Sequence, residues 1–213
     1  MSQGKGGKPD PRGDAEPSKL LIPDQLITAH TSKQLHPKAV RAAQAMLAFI
    51  AMELLDEAAK GSQEADATHA NEAGGKEIQP RHVDAAIRAD AELRRPLAFC
   101  LIESAPAPRA GAPSVQRAAV NTPDGAFDDS IDRLMKNISP EGNVTVGTSA
   151  KGMVSGLLTF LVEQLMYNAA VISTRVNSDV VHAEDVRAAA QVMLTGELCQ
   201  LVDREMREAV IKA

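Results

Sequence analysis

The chain has no tryptophan, one tyrosine and four phenylalanines among 213 residues, so aromatic side chains cannot fill its core. Alanine, leucine, valine and methionine must do so, and such aliphatic stock suits helices packed through stripes better than a sheet sandwich. The fold class this points to is all-α. Cysteine is nearly absent as well. Cys100 and Cys199 stand in apolar surroundings with no CxxC or Cys/His spacing, which excludes a disulfide scaffold and reads as two buried thiols in a reducing compartment. No unbroken apolar run approaches the roughly 18 residues of a membrane span, and the Gly/Lys/Pro-rich start lacks the apolar centre of a signal peptide, so we expect a soluble protein without membrane contact. A large excess of positive charge is missing too. There are 23 basic and 28 acidic groups, a net charge of -5, and residues 1–110 carry 14 and 15 while residues 111–213 carry 9 and 13. Neither half is a polybasic counterion.

Catalytic motifs are missing in the same way. His30, His36, His69, His82 and His182 show no metal-ligand spacing, and neither a phosphate-cradling glycine loop nor a nucleophile motif occurs. His82, in a Pro-Arg-His helix start, reads as a packed or capping residue. The expectation is no enzyme, no metal and no cofactor.

What is present is a repeat. A long apolar-periodic segment, a polar loop and a short capped helix occur twice, ending first at RHVDAAIR and again at AEDVRAAA. Phe49 and Arg81 are 32 positions apart where Phe160 and Glu184 are 24 apart, so the first copy carries about eight extra loop residues. Neither copy should bury its apolar face alone.

Residues 1–18 combine Gly, Pro and charge with almost nothing to bury and read as a flexible tail. A short helix is expected within 20–34, with Pro23 in its first turn. Over 37–60, Val40, Ala43, Leu47, Ile50, Leu54 and Ala58 recur at alternating spacings of three and four, one stripe on a helix about 36 Å long. A polar loop at 61–77 leads to a helix over 80–91, an apolar piece at 97–102 and a Pro/Ala/Gly-rich linker at 105–125. The second copy repeats this order: a short helix at 127–138, a loop at 139–147, and a long helix over 148–175. The stripe of that long helix is Val154, Leu158, Leu161, Leu165, Ala169, Ile172 and Val176. A loop at 177–181 precedes a helix that His182 caps and whose first turn holds Glu184 and Asp185. A last amphipathic helix, 196–213, carries Leu198, Leu201, Val202 and Val210.

Short helix, long helix, short helix, taken twice, resembles the histone fold. SQGKGGK, AFIAMELLDEAA and IQPRHVDAAIRADAEL resemble core histone 2A; SPEGNVTVGTSAKGM and LTGELCQLVDREMREAVIKA, the latter like an added C-terminal helix, resemble core histone 2B. The chain is therefore similar to a histone doublet of the kind found in giant DNA viruses. The resemblance implies two histone folds in tandem that form an intramolecular handshake unit with an extra C-terminal helix. The boundaries would be 1–18 tail, 19–104 the 2A-like fold and the start of its docking segment, 105–125 docking segment and linker, and 126–213 the 2B-like fold. Its implied partners are double-stranded DNA and a histone 3/4-type pair or doublet, in chromatin of a nucleus or viral factory, or in a virion.

The family binds DNA backbone without base reading, at paired loops and helix N-termini. On the matching positions stand Lys33, Lys38, Lys76, Arg133, Lys136, Lys151 and Arg175, a thin set. The loop strings NEAGGKEI and NSDVV put Glu77, Ser178 and Asp179 where the family is basic, which weakens the expected wrapping. The resemblance also implies an acidic patch that takes basic peptides, built here from Glu53, Asp56, Asp90, Glu92, Glu197 and Glu205, with Ala48 and Ala91 where two further carboxylates are usual. Lys5 and Lys8 are tail positions open to acetylation. The charge of -5 and the depleted loops point to a rival, a regulatory histone-fold dimer that mainly binds proteins, and more remotely to an acidic chaperone-like decoy.

Overall fold

The two copies are laced together by their loops. The computed structural model describes residues 22–66, 76–97 and 126–212. Its elements run α1 (Asp24–Thr28), β1 (Gln34–Leu35), α2 (Pro37–Asp66), β2 (Lys76–Ile78), α3 (Pro80–Ala89), α4 (Ala91–Leu97), α5 (Asp128–Ile138), β3 (Val144–Val146), α6 (Thr148–Arg175), β4 (Val180–Val181), α7 (Ala183–Met193) and α8 (Gly196–Ile211). Each short strand pairs in parallel with one from the other copy: Gln34 with Val180 and Leu35 with Val181, then Lys76, Glu77 and Ile78 with Val144, Thr145 and Val146. The first loop of each copy thus meets the second loop of the other, at two separate edges.

The stripe on α2 is buried along its whole length, from Val40 to Ala58. Burial goes further than one stripe, however: Ala42, Ala45, Met46, Ala48, Phe49 and Ala51 are also buried. The reason is position. α2 packs against α3 of its own copy and against α5, α7 and α8 of the other, so its middle is surrounded, and its alanines let neighbours approach closely. At such a site Leu47→Ala would cost about 2–5 kcal/mol. α2 also outruns its expected end at residue 60, reaching Asp66 through Gly61.

On α6, Val154, Leu158, Leu161, Leu165 and Ala169 are buried and Ile172 packs at the margin, but Val176 is 67% exposed. Val176 is the C-cap residue, where the chain has already left the helix. Asn177 then takes a left-handed φ of 58°, and its N–H and that of Ser178 return to Thr174 O (3.1 Å) and Ser173 O (3.0 Å), which closes the helix in a Schellman motif. By length and composition alone α6 could cross a membrane, although no unbroken apolar run is present; here its apolar residues pack against α7, α2, α3 and α5.

Caps behave as the sequence implies. His182 is the N-cap of α7, and its N–H donates to Asp185 Oδ2 at 2.8 Å. His82 is buried, and its Nδ1 accepts the N–H of Gln79, the N-cap of α3, at 3.2 Å. α1 is shorter than expected and is tied to α2 by Gln44 Nε2, which donates to Ile22 O and Asp24 Oδ1, both at 2.6 Å. α8 buries Leu198, Val202, Met206 and Ala209, with Leu201 and Val210 half-buried, and lies along α2. One continuous core therefore runs through both copies. The expected tail with Lys5 and Lys8, the linker at 105–125, the apolar residues 98–102, His69 and Cys100 lie outside the described residues.

Candidate nucleic-acid and protein-binding surfaces

At the β1–β4 edge, strand pairing carries Lys33 to the end of α6. Its Nζ donates to Ser178 O at 2.5 Å and to Ser173 Oγ at 3.2 Å. Ser173 is fully buried. An expected phosphate contact is therefore committed to the junction between the copies. Lys38 differs: it is exposed, its backbone N–H is capped by His36 Nδ1 at 3.2 Å, and the first turn of α2 holds no acidic residue. Arg175 is exposed in the last turn of α6. The histidines that looked scattered in sequence include one close pair. His36 N–H donates to Val181 O at 3.0 Å, extending the ladder, and the His36 and His182 rings lie 5.5 Å apart and tilted by 33°.

The β2–β3 edge has a different balance. Lys76 is half-buried, and its backbone N–H donates to Asn143 O at 3.2 Å. Next to it, exposed Glu77 lays its carboxylate over Gly147, the N-cap of α6; a Cβ at Gly147 would stand 2.8 Å from Glu77 Oε1. Lys151, in the first turn of α6, pairs with Asp132 of α5 at 2.7 Å. Arg133 and Lys136 are exposed on α5, which packs against β3. The seven basic candidates thus divide between two edges, three at one and four at the other, and Lys33 at one edge and Lys151 at the other are bonded within the protein.

The six acidic candidates sit on elements that pack together, since α8 lies on both α2 and α4, and α4 on α3. Several have internal duties. Asp90 Oδ1 accepts the N–H groups of Glu92 (2.7 Å) and Leu93 (3.1 Å), so it caps α4. Glu92 accepts the N–H groups of Glu197 and Leu198 at the start of α8. Asp56 pairs with Lys60 at 2.9 Å, and Glu57 with the same ammonium at 2.5 Å; Glu57 first and Asp56 second hold Lys60 well above the usual lysine range. Glu205 is half-buried beside Arg204 at 3.9 Å, Glu53 is half-buried, and the Glu197 side chain is exposed.

Sequence reading also missed features away from the two sets of candidates. The Lys60 pairs were visible as i,i+3 and i,i+4 spacings. Nothing local announced the bridge from α7 to α8, where Arg187 Nε and Arg207 Nε each lie 2.8 Å from an oxygen of Asp203. Cys199, expected to be buried, is half-exposed and free. Its thiol is pushed above the ordinary value, first by partial burial and then by the carboxylates of Asp203 and Glu92.

No protein-family model matches the chain. Over 87 residues, 41% of this chain and 67% of the relative, the sequence is 24% identical to histone H2B of Encephalitozoon cuniculi. With its helical fold, the chain is histone-like, and the likeness extends over less than half its length.

Proposed function

We propose that this chain is a DNA-packaging histone doublet. It comprises a 2A-like unit at 19–104, a docking segment and linker at 105–125 and a 2B-like unit at 126–213, joined as an intramolecular handshake. It assembles with a histone 3/4-type pair into a nucleosome-like particle in chromatin, or in a viral factory or virion, and holds DNA through its backbone without reading sequence. The observation that carries this reading is the crossed pairing of β1 with β4 and of β2 with β3, which joins each short strand of one copy to a strand of the other. The similarity to histone H2B supports it independently. Among the basic candidates, Lys38 and Arg175, exposed at the β1–β4 edge, form the main phosphate contacts, with Lys136, Arg133, Lys76 and Lys151 contributing less and Lys33 held in the junction between the copies. The carboxylates of Glu53, Asp56, Asp90, Glu92, Glu197 and Glu205 form a surface for basic peptides.

A second reading, a regulatory histone-fold dimer that mainly binds proteins, is favoured by the ties of Lys33 to Ser178 and of Lys151 to Asp132, which subtract cations from both edges. Co-elution separates the two. A packaging doublet elutes with a 3/4-type pair and DNA as one complex, whereas a regulatory dimer leaves the DNA in a separate fraction.

A further inference from the structure

We propose that the two edges are not equivalent: DNA backbone docks on the β1–β4 edge, and Glu77 closes the β2–β3 edge by holding a carboxylate where a phosphate would approach. The proposal rests on the DNA-binding reading and names the surface that performs it.

Chemistry at the start of α6 carries the argument. The N-terminus of a helix leaves backbone N–H groups without partners inside the helix and bears the positive end of the macrodipole, which makes it attractive to any anion. Here an anion belonging to the protein is already beside it. Pairing of Glu77 with Thr145 fixes the backbone, and Gly147 N–H donating to Ile78 O at 3.0 Å brings the N-cap alongside. Because Gly147 has no Cβ, the Glu77 carboxylate fits against it. The cation that could offset this charge, Lys151, is held by Asp132 at 2.7 Å, and Glu141 is exposed in the turn before β3. A phosphate arriving at the N-cap of α6 meets Glu77, Asp132 and Glu141; Lys76 on β2 is half-buried, and the exposed Arg133 and Lys136 stand on α5 rather than at the N-cap.

On the other edge the α2 side is open. No acidic residue stands in the first turn of α2, and Lys38 is exposed with no acidic partner among the described residues. His36 uses Nδ1 to accept the Lys38 N–H, so a neutral ring carries its proton on Nε2, a donor available to a phosphate oxygen. Asp179 and Glu184 are exposed on the α7 side, which places the docking strip toward α2.

The test is affinity of the full chain for a short DNA duplex, read by fluorescence anisotropy as salt rises from about 50 to about 200 mM. Lys38→Gln is expected to weaken binding several-fold and to reduce the salt slope by about 0.9 log unit, while Lys76→Gln has a clearly smaller effect on both. Glu77→Gln is expected to strengthen binding several-fold, and in that background Lys76→Gln becomes costly. Both Lys38 and Glu77 are exposed, so these variants keep the fold. Unchanged affinity of Glu77→Gln, or a loss with Lys76→Gln in the wild-type background equal to that with Lys38→Gln, overturns the inference while DNA binding stands. If neither the wild type nor Glu77→Gln binds at the lowest salt, the DNA-binding reading fails and takes the inference with it.

Discussion

Glu92 reaches from α4 to the start of α8, where its two carboxylate oxygens accept the backbone N–H groups of Glu197 and Leu198 at 2.9 and 2.6 Å. A residue of the first copy thereby caps a helix of the second, more than 100 positions away in sequence. The arrangement needs a glycine next to it. Gly196 has φ 67°, and a Cβ there would collide with the Glu92 carboxylate.

Gly196→Ala therefore has two costs, about 1 kcal/mol or more for a left-handed backbone and about 1 kcal/mol for displacing a cap. For a chain of this size the sum lowers the thermal midpoint by roughly 4–8 °C. Glu92→Gln, which keeps one acceptor but loses the charge, should lower it by about half as much. Calorimetry of the two variants checks this; an unchanged midpoint for both would show that the cap contributes nothing.

Lys33 holds the first loop of one copy to the end of α6 in the other, through Ser178 O and Ser173 Oγ. Lys33→Met removes both bonds, and denaturant unfolding should report a loss of about 1–2 kcal/mol. The salt dependence of DNA binding should stay as it is, because the ammonium faces the junction. A shallower salt slope with unaltered stability would reverse the assignment and make Lys33 a phosphate contact.

Cys199 gives a pH-dependent readout. Its raised thiol ionisation means that the folded protein keeps a proton which the unfolded chain releases near pH 8.5–9. Stability is thus lost as pH rises through that window, since the folded state then binds more protons than the unfolded one. In a Cys100→Ser background, alkylation of Cys199 followed by mass spectrometry should show a midpoint above that of an unfolded control. Asp203→Asn, which removes one of the two carboxylates that raise it, should shift that midpoint down. No difference between folded and unfolded chains would contradict the placement of the thiol.

Fusion of the two copies makes their pairing intramolecular, with an effective concentration on the order of mM. The unfolding midpoint should then be the same over a wide range of protein concentration, as ultracentrifugation and thermal scans at matched dilutions would show. A midpoint that rises with concentration would mean that the crossed strands belong to two chains, each supplying one copy.

The sequence made the long elements legible because their periodicity is local. Val40 to Ala58 on α2 and Val154 to Ala169 on α6 announced buried faces, and the bounds of α6 came out as expected. What lay hidden depends on contacts between distant segments. Ala45 and Ala48 are buried only because α2 is enclosed by helices of both copies. Strands of two or three residues carry no readable alternation, and without their pairing the meeting of His36 with His182 could not be foreseen. Among the site candidates, sequence placed Lys38 and Arg175 on exposed helix ends. It could not tell that Lys33 and Lys151 are bonded internally, or that Glu92 caps α8, since each of those partners lies in another element.

The most direct test of the packaging account is nuclease protection of DNA reconstituted with this chain and a 3/4-type histone pair, at low and at physiological salt. The account predicts a discrete protected fragment that shortens or disappears as salt rises, because few phosphates are neutralised and each contact is lost to counterions. No protected fragment at any salt would contradict it and leave a protein-binding histone-fold dimer as the better description.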